Sequence, residues 1–121
     1  YRSILEGIGY ELQKYIDIGR EIGINVTQLK LVGGGAKSTL WPQILADISG
    51  RNIHLPHVEN AANLGAAKLA GLGARIFKGL EEIPAFSESI VNPDRDQHNK
   101  YRKLYRKYLW ISEQLSWENI L

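Results

Sequence analysis

The fold is decided by the stretch Leu29-Lys-Leu-Val-Gly-Gly-Gly-Ala-Lys-Ser-Thr-Leu-Trp41. Its first four residues, Leu29 to Val32, have the apolar character of a short strand. Three consecutive glycines follow, and Ser38 or Thr39 then begins a helix whose apolar residues recur at helical spacing. We name residues 33–39 the glycine turn. A strand that leads through glycines into a helix N-terminus predicts an α/β fold with an anion-facing loop.

The residue spacing in the glycine turn separates it from two better-known phosphate-binding motifs. Ala36 stands before Lys37-Ser38, where a P-loop requires glycine, and Ser38 occupies the third glycine position of the dinucleotide-binding fingerprint. Spacing alone therefore predicts an anion near a glycine turn, with a plain strand-to-helix connection as the alternative. Lys37 either contacts a phosphate or is a solvated loop lysine. Ser38 and Thr39 either bind a nucleotide or cap the helix.

The sequence around the turn predicts helices on both sides of two short strands. The first helix covers residues 3–22, and the residues expected on its apolar face are Ile4, Ile8, Leu12, Tyr15, Ile16 and Ile22. The second helix ends near Ser49 with Gly50 as its cap. A second strand at residues 52–55, a third helix at 60–77, an irregular segment at 79–97 and a last helix from Asn92 or Asp94 to about Trp117 complete the chain. This alternation predicts a parallel α/β arrangement.

Composition places the chain among ordinary globular domains. It has 121 residues, 44% of them hydrophobic and 23% charged, with a net charge of +2. The absence of cysteine excludes disulfides and cysteine-based zinc sites. No apolar run approaches the roughly 20 residues of a membrane span. We therefore expect a cytoplasmic protein with no membrane partner. Because methionine is also absent, we expect a fragment or a processed product of a longer protein.

The last predicted helix is basic and rich in tyrosine. Between residues 94 and 108 six lysines and arginines stand against two aspartates, and Tyr101, Tyr105 and Tyr108 are interleaved with them. This pattern suits either nucleic-acid or partner binding, or a solvated basic face beside an aromatic core face. We favour the second interpretation, because the rest of the chain carries a slight negative charge, and we expect no nucleic-acid partner.

Four polar residues elsewhere are further functional candidates. His54 and His57 lie three residues apart at a strand end, but no further ligands for a metal site are evident, so we interpret them as ordinary histidines. Gln43 and Asp47 lie one helical turn apart. For these two we favour surface or structural roles over ligand contacts.

Four blocks of the sequence resemble the C-terminal end of the FGGY family of carbohydrate kinases, its xylulokinase-like members most of all. The blocks are residues 2–12, 31–38, 41–50 and 64–67. The most specific part is the glycine turn in register with Trp41, Gln43, Ala46, Asp47 and Gly50. The resemblance implies a partial actin-like, ribonuclease H-like ATPase lobe. Residues 1–78 would be the second half of the C-terminal, nucleotide-binding lobe, and residues 79–121 an irregular loop and C-terminal helix.

The same resemblance implies a function for a longer parent protein. The parent would transfer the γ-phosphate of ATP, with Mg²⁺, to a hydroxyl of a sugar or polyol, with D-xylulose as a candidate, and homo-oligomerisation is an option. The implied nucleotide-binding residues are Gly33, Gly34, Gly35, Ala36, Lys37, Ser38 and Thr39. The family's catalytic aspartate and sugar pocket would lie upstream, so we expect no catalytic residue here and no activity of this segment alone. The alternative is a non-catalytic interaction module that uses the basic, tyrosine-rich C-terminal helix.

Overall fold

The structure, a computed structural model, describes residues 1–83 and 86–115. Four α-helices are present in the described part: α1 (Arg2–Glu21), α2 (Leu40–Ser49), α3 (Ala61–Gly73) and α4 (Arg95–Gln114). The strands are β1 (Leu29–Lys30), β2 (Ile53–Pro56) and β3 (Glu88–Val91), and two 3₁₀ turns cover Gly34–Lys37 and Leu80–Glu82. None of these helices is both long and apolar enough to cross a membrane. The predicted helix end at Trp117 lies outside the described residues.

The sheet has three strands in the order β1-β2-β3. β1 and β2 are parallel, with Leu29 opposite Ile53, whereas β3 runs antiparallel to β2, with Val91 opposite Ile53. The sequence predicted only two strands and an irregular segment at 79–97. Because β3 lies within that segment, the prediction was wrong there. β3 alternates weakly and carries polar residues, so its strand conformation depends on pairing with β2 rather than on its own pattern. β1 is left at an edge of the sheet.

Helix α2 is the centre of the fold. Seven of its ten residues are buried, and it lies between the sheet on one side and helices α1 and α4 on the other. Ile44 and Ile48 pack towards the helices, while Leu45 packs with Ile53 of β2. The helix ends as predicted at Gly50, which has φ 63° and donates its N–H to the Ala46 carbonyl at 2.8 Å.

The apolar face predicted for α1 was only partly correct. Ile16 is buried, but the side chains of Ile4, Ile8 and Tyr15 are 64%, 53% and 67% exposed. We name these three residues the exposed stripe. The core position belongs instead to Tyr10, because α2 and α4 pack against that side of α1. Helical spacing predicted the helix, but the packing of its neighbours decided which face is buried.

Helix α4 packs onto α1 through tyrosines. The rings of Tyr101, Tyr105 and Tyr108 have their centroids 6.2, 6.0 and 5.2 Å from that of Tyr10. Their hydroxyls donate to carboxylates of α1, as in the bond from Tyr101 to Glu6 at 2.8 Å. The predicted aromatic core face of this helix is confirmed. These rings are consequently not available as an exposed aromatic surface for a partner.

The first turn of α4 is tied to α2. Asp94, one of the two alternative caps predicted, caps the helix. Its side chain accepts the Gln97 N–H at 2.8 Å. Asp47 accepts the Asp94 N–H at 2.8 Å through its side chain, and its backbone carbonyl accepts a hydrogen bond from His98 Nδ1 at 2.8 Å. Gln43 also bonds Asp47, at 2.8 Å. Gln43 and Asp47 therefore have structural roles in joining α2 to α4, and Asp47 is buried rather than on the surface.

The tyrosine cluster should make the packing of α4 sensitive to alkaline pH. Burial raises the pKa of Tyr10 to about 12, and the hydrogen bond to Glu11 raises the pKa of Tyr108 to about 12. Phenols in an unfolded chain ionise near pH 10. The stability that these neutral phenols contribute is thus fully present below about pH 10 and is lost as the pH rises through about 12.

We therefore expect tyrosinate absorbance to appear in at least two steps, the later one coinciding with loss of helical circular dichroism. The variant Glu11→Gln keeps a hydrogen-bond acceptor but removes the charge, so it should move part of the later step to lower pH. Ionisation of all tyrosines in one step near pH 10 would contradict the packing described here.

Candidate functional site

The glycine turn reverses the chain directly after β1. Gly33 has φ 78° and ψ −155°, a conformation that only glycine adopts readily. A 3₁₀ turn then follows, in which the Ala36 N–H donates to the Gly33 carbonyl at 3.2 Å and the Ser38 N–H to the Gly35 carbonyl at 3.3 Å. The first N–H groups of such a turn have no acceptor inside it. The turn therefore presents exposed backbone donors at the N-terminal end of α2.

Three residues of the turn line a cleft of about 380 Å³. Gly33, Ala36 and Lys37 form one wall, and residues 55–59, at the end of β2 and just beyond it, form most of the other. Because β1 and β2 are parallel, their carboxyl ends meet at this cleft. Open α/β sheets bind their ligands in this position.

The other four predicted site residues have different surroundings. Gly34 is exposed, and a Cβ built on it would have nothing within 4 Å. A Cβ on Gly35 would lie 3.0 Å from Cδ1 of Trp41, so this glycine serves the packing of the turn against α2. The Ser38 hydroxyl accepts the Trp41 N–H at 3.2 Å, which is the capping role, whereas Thr39 makes no side-chain cap.

Residues that follow β2 complete the cleft, and the sequence analysis did not include them in the site. They are His57, Val58 and Glu59. The imidazole of His57 is held by two serines of the β3 region, at 2.6 Å from Ser89 Oγ and 3.3 Å from Ser87 Oγ. Residues 57–59 come immediately after a predicted parallel strand, and this position was the signal that could have identified them.

The charges at the cleft are few. Lys37 is exposed and makes no ion pair or side-chain hydrogen bond within the described residues, while Glu59 stands on the opposite wall. The side chain of Lys37 is therefore free to meet an anion. Nothing in residues 1–83 and 86–115 groups three histidine or acidic side chains as a metal site would.

His54 belongs to the sheet rather than to the cleft. It is buried, and its Nδ1 lies 2.5 Å from Oε1 of Glu88 on the neighbouring strand. The hydrogen bond from His54 lowers the pKa of Glu88, and Lys30 pairs with the same carboxylate at 3.4 Å. This arrangement gives His54 a structural contact between β2 and β3.

The comparison with known families identifies the chain. The C-terminal domain of the FGGY family of carbohydrate kinases matches residues 1–74. The chain belongs to this family. It is 35% identical, over 93% of its length, to a xylulose kinase of Staphylococcus epidermidis, and 40% identical, over 86% of its length, to a glycerol kinase of Saccharolobus islandicus. It spans only 23% and 21% of those two proteins.

A solved structure confirms the fold of this FGGY segment. The gluconate kinase of Lactobacillus acidophilus superposes with a TM-score of 0.82 over 99% of the chain and 25% of the kinase, at 22% sequence identity. The α/β, partial actin-like ATPase fold implied by the resemblance is thereby confirmed. Helix α4 lies wholly beyond the residues of the family match, and the superposition, which covers 99% of the chain, includes most of it.

Proposed function

We propose that this chain is the nucleotide-binding C-terminal portion of an ATP-dependent carbohydrate kinase, whose full-length form transfers the γ-phosphate of ATP to a sugar or polyol hydroxyl. Residues 1–78 would form the second half of the C-terminal lobe, with β3 and α4 packed against it. The observation that carries the proposal is the glycine turn of an FGGY-family chain, facing a cleft at the carboxyl ends of two parallel strands.

The residues of the glycine turn would contribute to ATP binding in different ways. The backbone of Gly33, Gly34, Gly35 and Ala36 would let the phosphates approach closely, because no side chain beyond a methyl group stands in the way. Lys37 would pair with a phosphate oxygen. Ser38 would hold the helix N-terminus in place through its cap, and Thr39 would flank the nucleotide.

The exposed donors and the free lysine fit the anionic part of ATP. A magnesium ion would accompany the phosphates in the parent. The described residues contain no cluster of metal-ligating side chains, so this segment would contribute contacts to the phosphates rather than ligands to the ion. Bound to ATP, the ion would neutralise phosphate charge during transfer. This chain's part in that step is to position the nucleotide.

The relatives support a proposal for the substrate class of the parent. The similar proteins named above are a xylulose kinase, a glycerol kinase and a gluconate kinase, so the substrate class is a sugar or polyol, with D-xylulose as the candidate. We further propose a cytoplasmic protein, capable of homo-oligomerisation, with no nucleic-acid or membrane partner. The base and the sugar pocket would lie outside this segment, which alone would be inactive.

The change Gly34→Val in the full-length protein should weaken ATP binding without unfolding it. The backbone at Gly34 is helical and open, so the valine fits, but its side chain would stand where phosphate should approach. We expect the KM for ATP to rise about tenfold or more, as loss of charge-assisted hydrogen bonds would cause. The measurement is sugar-dependent release of ADP, with D-xylulose, glycerol and gluconate as acceptors.

The matched control is Gly73→Val, at another open and exposed glycine far along the chain from the cleft. It should leave the KM unchanged. If no acceptor elicits ADP release from the wild-type protein, the kinase proposal is wrong. If the wild type is active but Gly34→Val has the same KM for ATP, the glycine turn is not the phosphate seat.

A further inference from the structure

A second cavity, on the helical side of the molecule, is strongly basic. It has a volume of about 400 Å³ and lies among α1, α2 and α4. Four arginines from three different parts of the chain line it: Arg20, Arg51, Arg102 and Arg106. It shares no lining residue with the cleft at the glycine turn.

The negative charge that faces this cavity is already engaged in hydrogen bonds with neighbouring side chains. Asp17 is the one carboxylate that lines it in the described part of the chain. Its Oδ1 accepts hydrogen bonds from Gln13 at 3.0 Å and from Arg20, and its Oδ2 accepts from the Tyr105 hydroxyl at 3.0 Å. With four guanidinium groups against one carboxylate, the cavity keeps a net positive charge of three from these groups.

Two of the arginines are anchored, and two are free to bind. Arg51 donates through Nε to the Val26 carbonyl at 3.0 Å and through Nη1 to the Ser49 carbonyl at 2.8 Å, so its position is fixed. Arg20 is held by Asp17. The side chains of Arg102 and Arg106, one turn apart on α4, make no ion pair or hydrogen bond within residues 1–83 and 86–115. A cavity with two guanidinium groups in place and two uncommitted ones is suited to a multivalent anion.

His98 adds a further polar group to the same wall. Its Nδ1 faces the Asp47 carbonyl at 2.8 Å, and because a carbonyl can only accept, Nδ1 carries the proton. The imidazole is therefore oriented by α2 rather than free to rotate. The ring stands beside Gly50, whose missing side chain makes room for it.

We infer that this cavity is a second anion site, selective for a phosphate group or a similar tetrahedral oxyanion. Guanidinium groups match such anions by paired, charge-assisted hydrogen bonds, and four arginines from three parts of the chain line this cavity. The phosphate group could come from free inorganic phosphate or from a phosphate monoester such as a sugar phosphate. This inference does not depend on the proposed kinase activity.

The test uses the full-length protein and calorimetric titration with two probes, inorganic phosphate and D-xylulose 5-phosphate. The variant Arg102→Gln/Arg106→Gln removes the two uncommitted guanidinium groups, both on exposed residues. The matched control is Lys103→Gln/Lys107→Gln, which removes the same charge from the same helix at positions outside the cavity lining. Gly34→Val serves as the third form, altered only in the glycine turn, outside this cavity.

We expect the arginine variant to weaken probe binding about tenfold or more, and the lysine variant and Gly34→Val to leave it within about twofold of wild type. Tighter binding of the monoester than of inorganic phosphate would identify the ester as the ligand class, and the reverse order would identify the free ion. Equal weakening by the arginine and lysine variants would show that binding depends on the overall charge of α4 and not on this cavity, and would overturn the site. Loss of binding in Gly34→Val alone, or no detectable binding by the wild type, would also overturn it.

Discussion

Gly50→Val is expected to lower the free energy of unfolding by about 2–6 kcal/mol, the combined effect of backbone strain and overpacking. Gly50 ends α2 with φ 63°, a conformation that a β-branched residue resists. A Cβ there would also lie 2.6 Å from Cε1 of His98, so the ring must move. Moving it breaks the hydrogen bond from His98 to Asp47, one of the contacts that tie α4 to α2.

A second glycine separates the two causes of this effect. Gly23, after α1, has φ 85° but nothing within 4 Å of a built Cβ, so Gly23→Val should cost only the strain. Chemical denaturation of the full-length protein, with amide exchange of residues 95–101, measures both variants. A further form, Gly50→Ala in a His98→Ala background, should cost less than Gly50→Ala alone. Equal destabilisation by Gly50→Val and Gly23→Val would show that His98 does not press on this position.

The chain made on its own is expected to self-associate or to be only marginally folded. β1 is an edge strand, and on its free side no other strand pairs with it in the described part of the chain. Next to it lies an apolar groove of about 280 Å³ lined by Ile8, Leu12, Leu29, Lys30, Leu31, Trp41, Leu45 and Ile53. The exposed stripe of α1 continues from Ile8 at this groove. A free strand edge beside exposed apolar side chains promotes pairing with another chain.

Analytical sedimentation together with amide hydrogen exchange tests this expectation. Ile8→Glu places a charge in the groove and should shift the chain towards the monomer by about tenfold or more in dissociation constant. The control Ile76→Glu changes an equally apolar residue that is 72% exposed and lies outside the groove, and it should have no effect. A stable monomer with strongly protected amides at residues 29–31 would contradict the free edge described here.

Sequence reasoning was most successful where structure depends on neighbouring residues alone. The strand, the glycines and the helix N-terminus of residues 29–41 form one local unit, and its outline was predictable. The caps at Gly50 and Asp94 were also predictable, because a left-handed C-cap and an Asp N-cap act within a few residues. The assignment of the glycine turn to the nucleotide came from the family resemblance, and at the level of individual residues it stays a prediction.

The sequence by itself determined the local elements of this protein: the strand–glycine–helix unit, the four helices and the ends of two of them. Tertiary packing alone decided that β3 joins β2, because a short polar segment becomes a strand only when a partner strand accepts its hydrogen bonds. Packing also placed Tyr10 in the core instead of Ile8, and turned Gly35 towards Trp41 while Gly33 faced the cleft. Periodicity shows that a helix or a turn has distinct faces, but only the elements packed around it determine which face is covered.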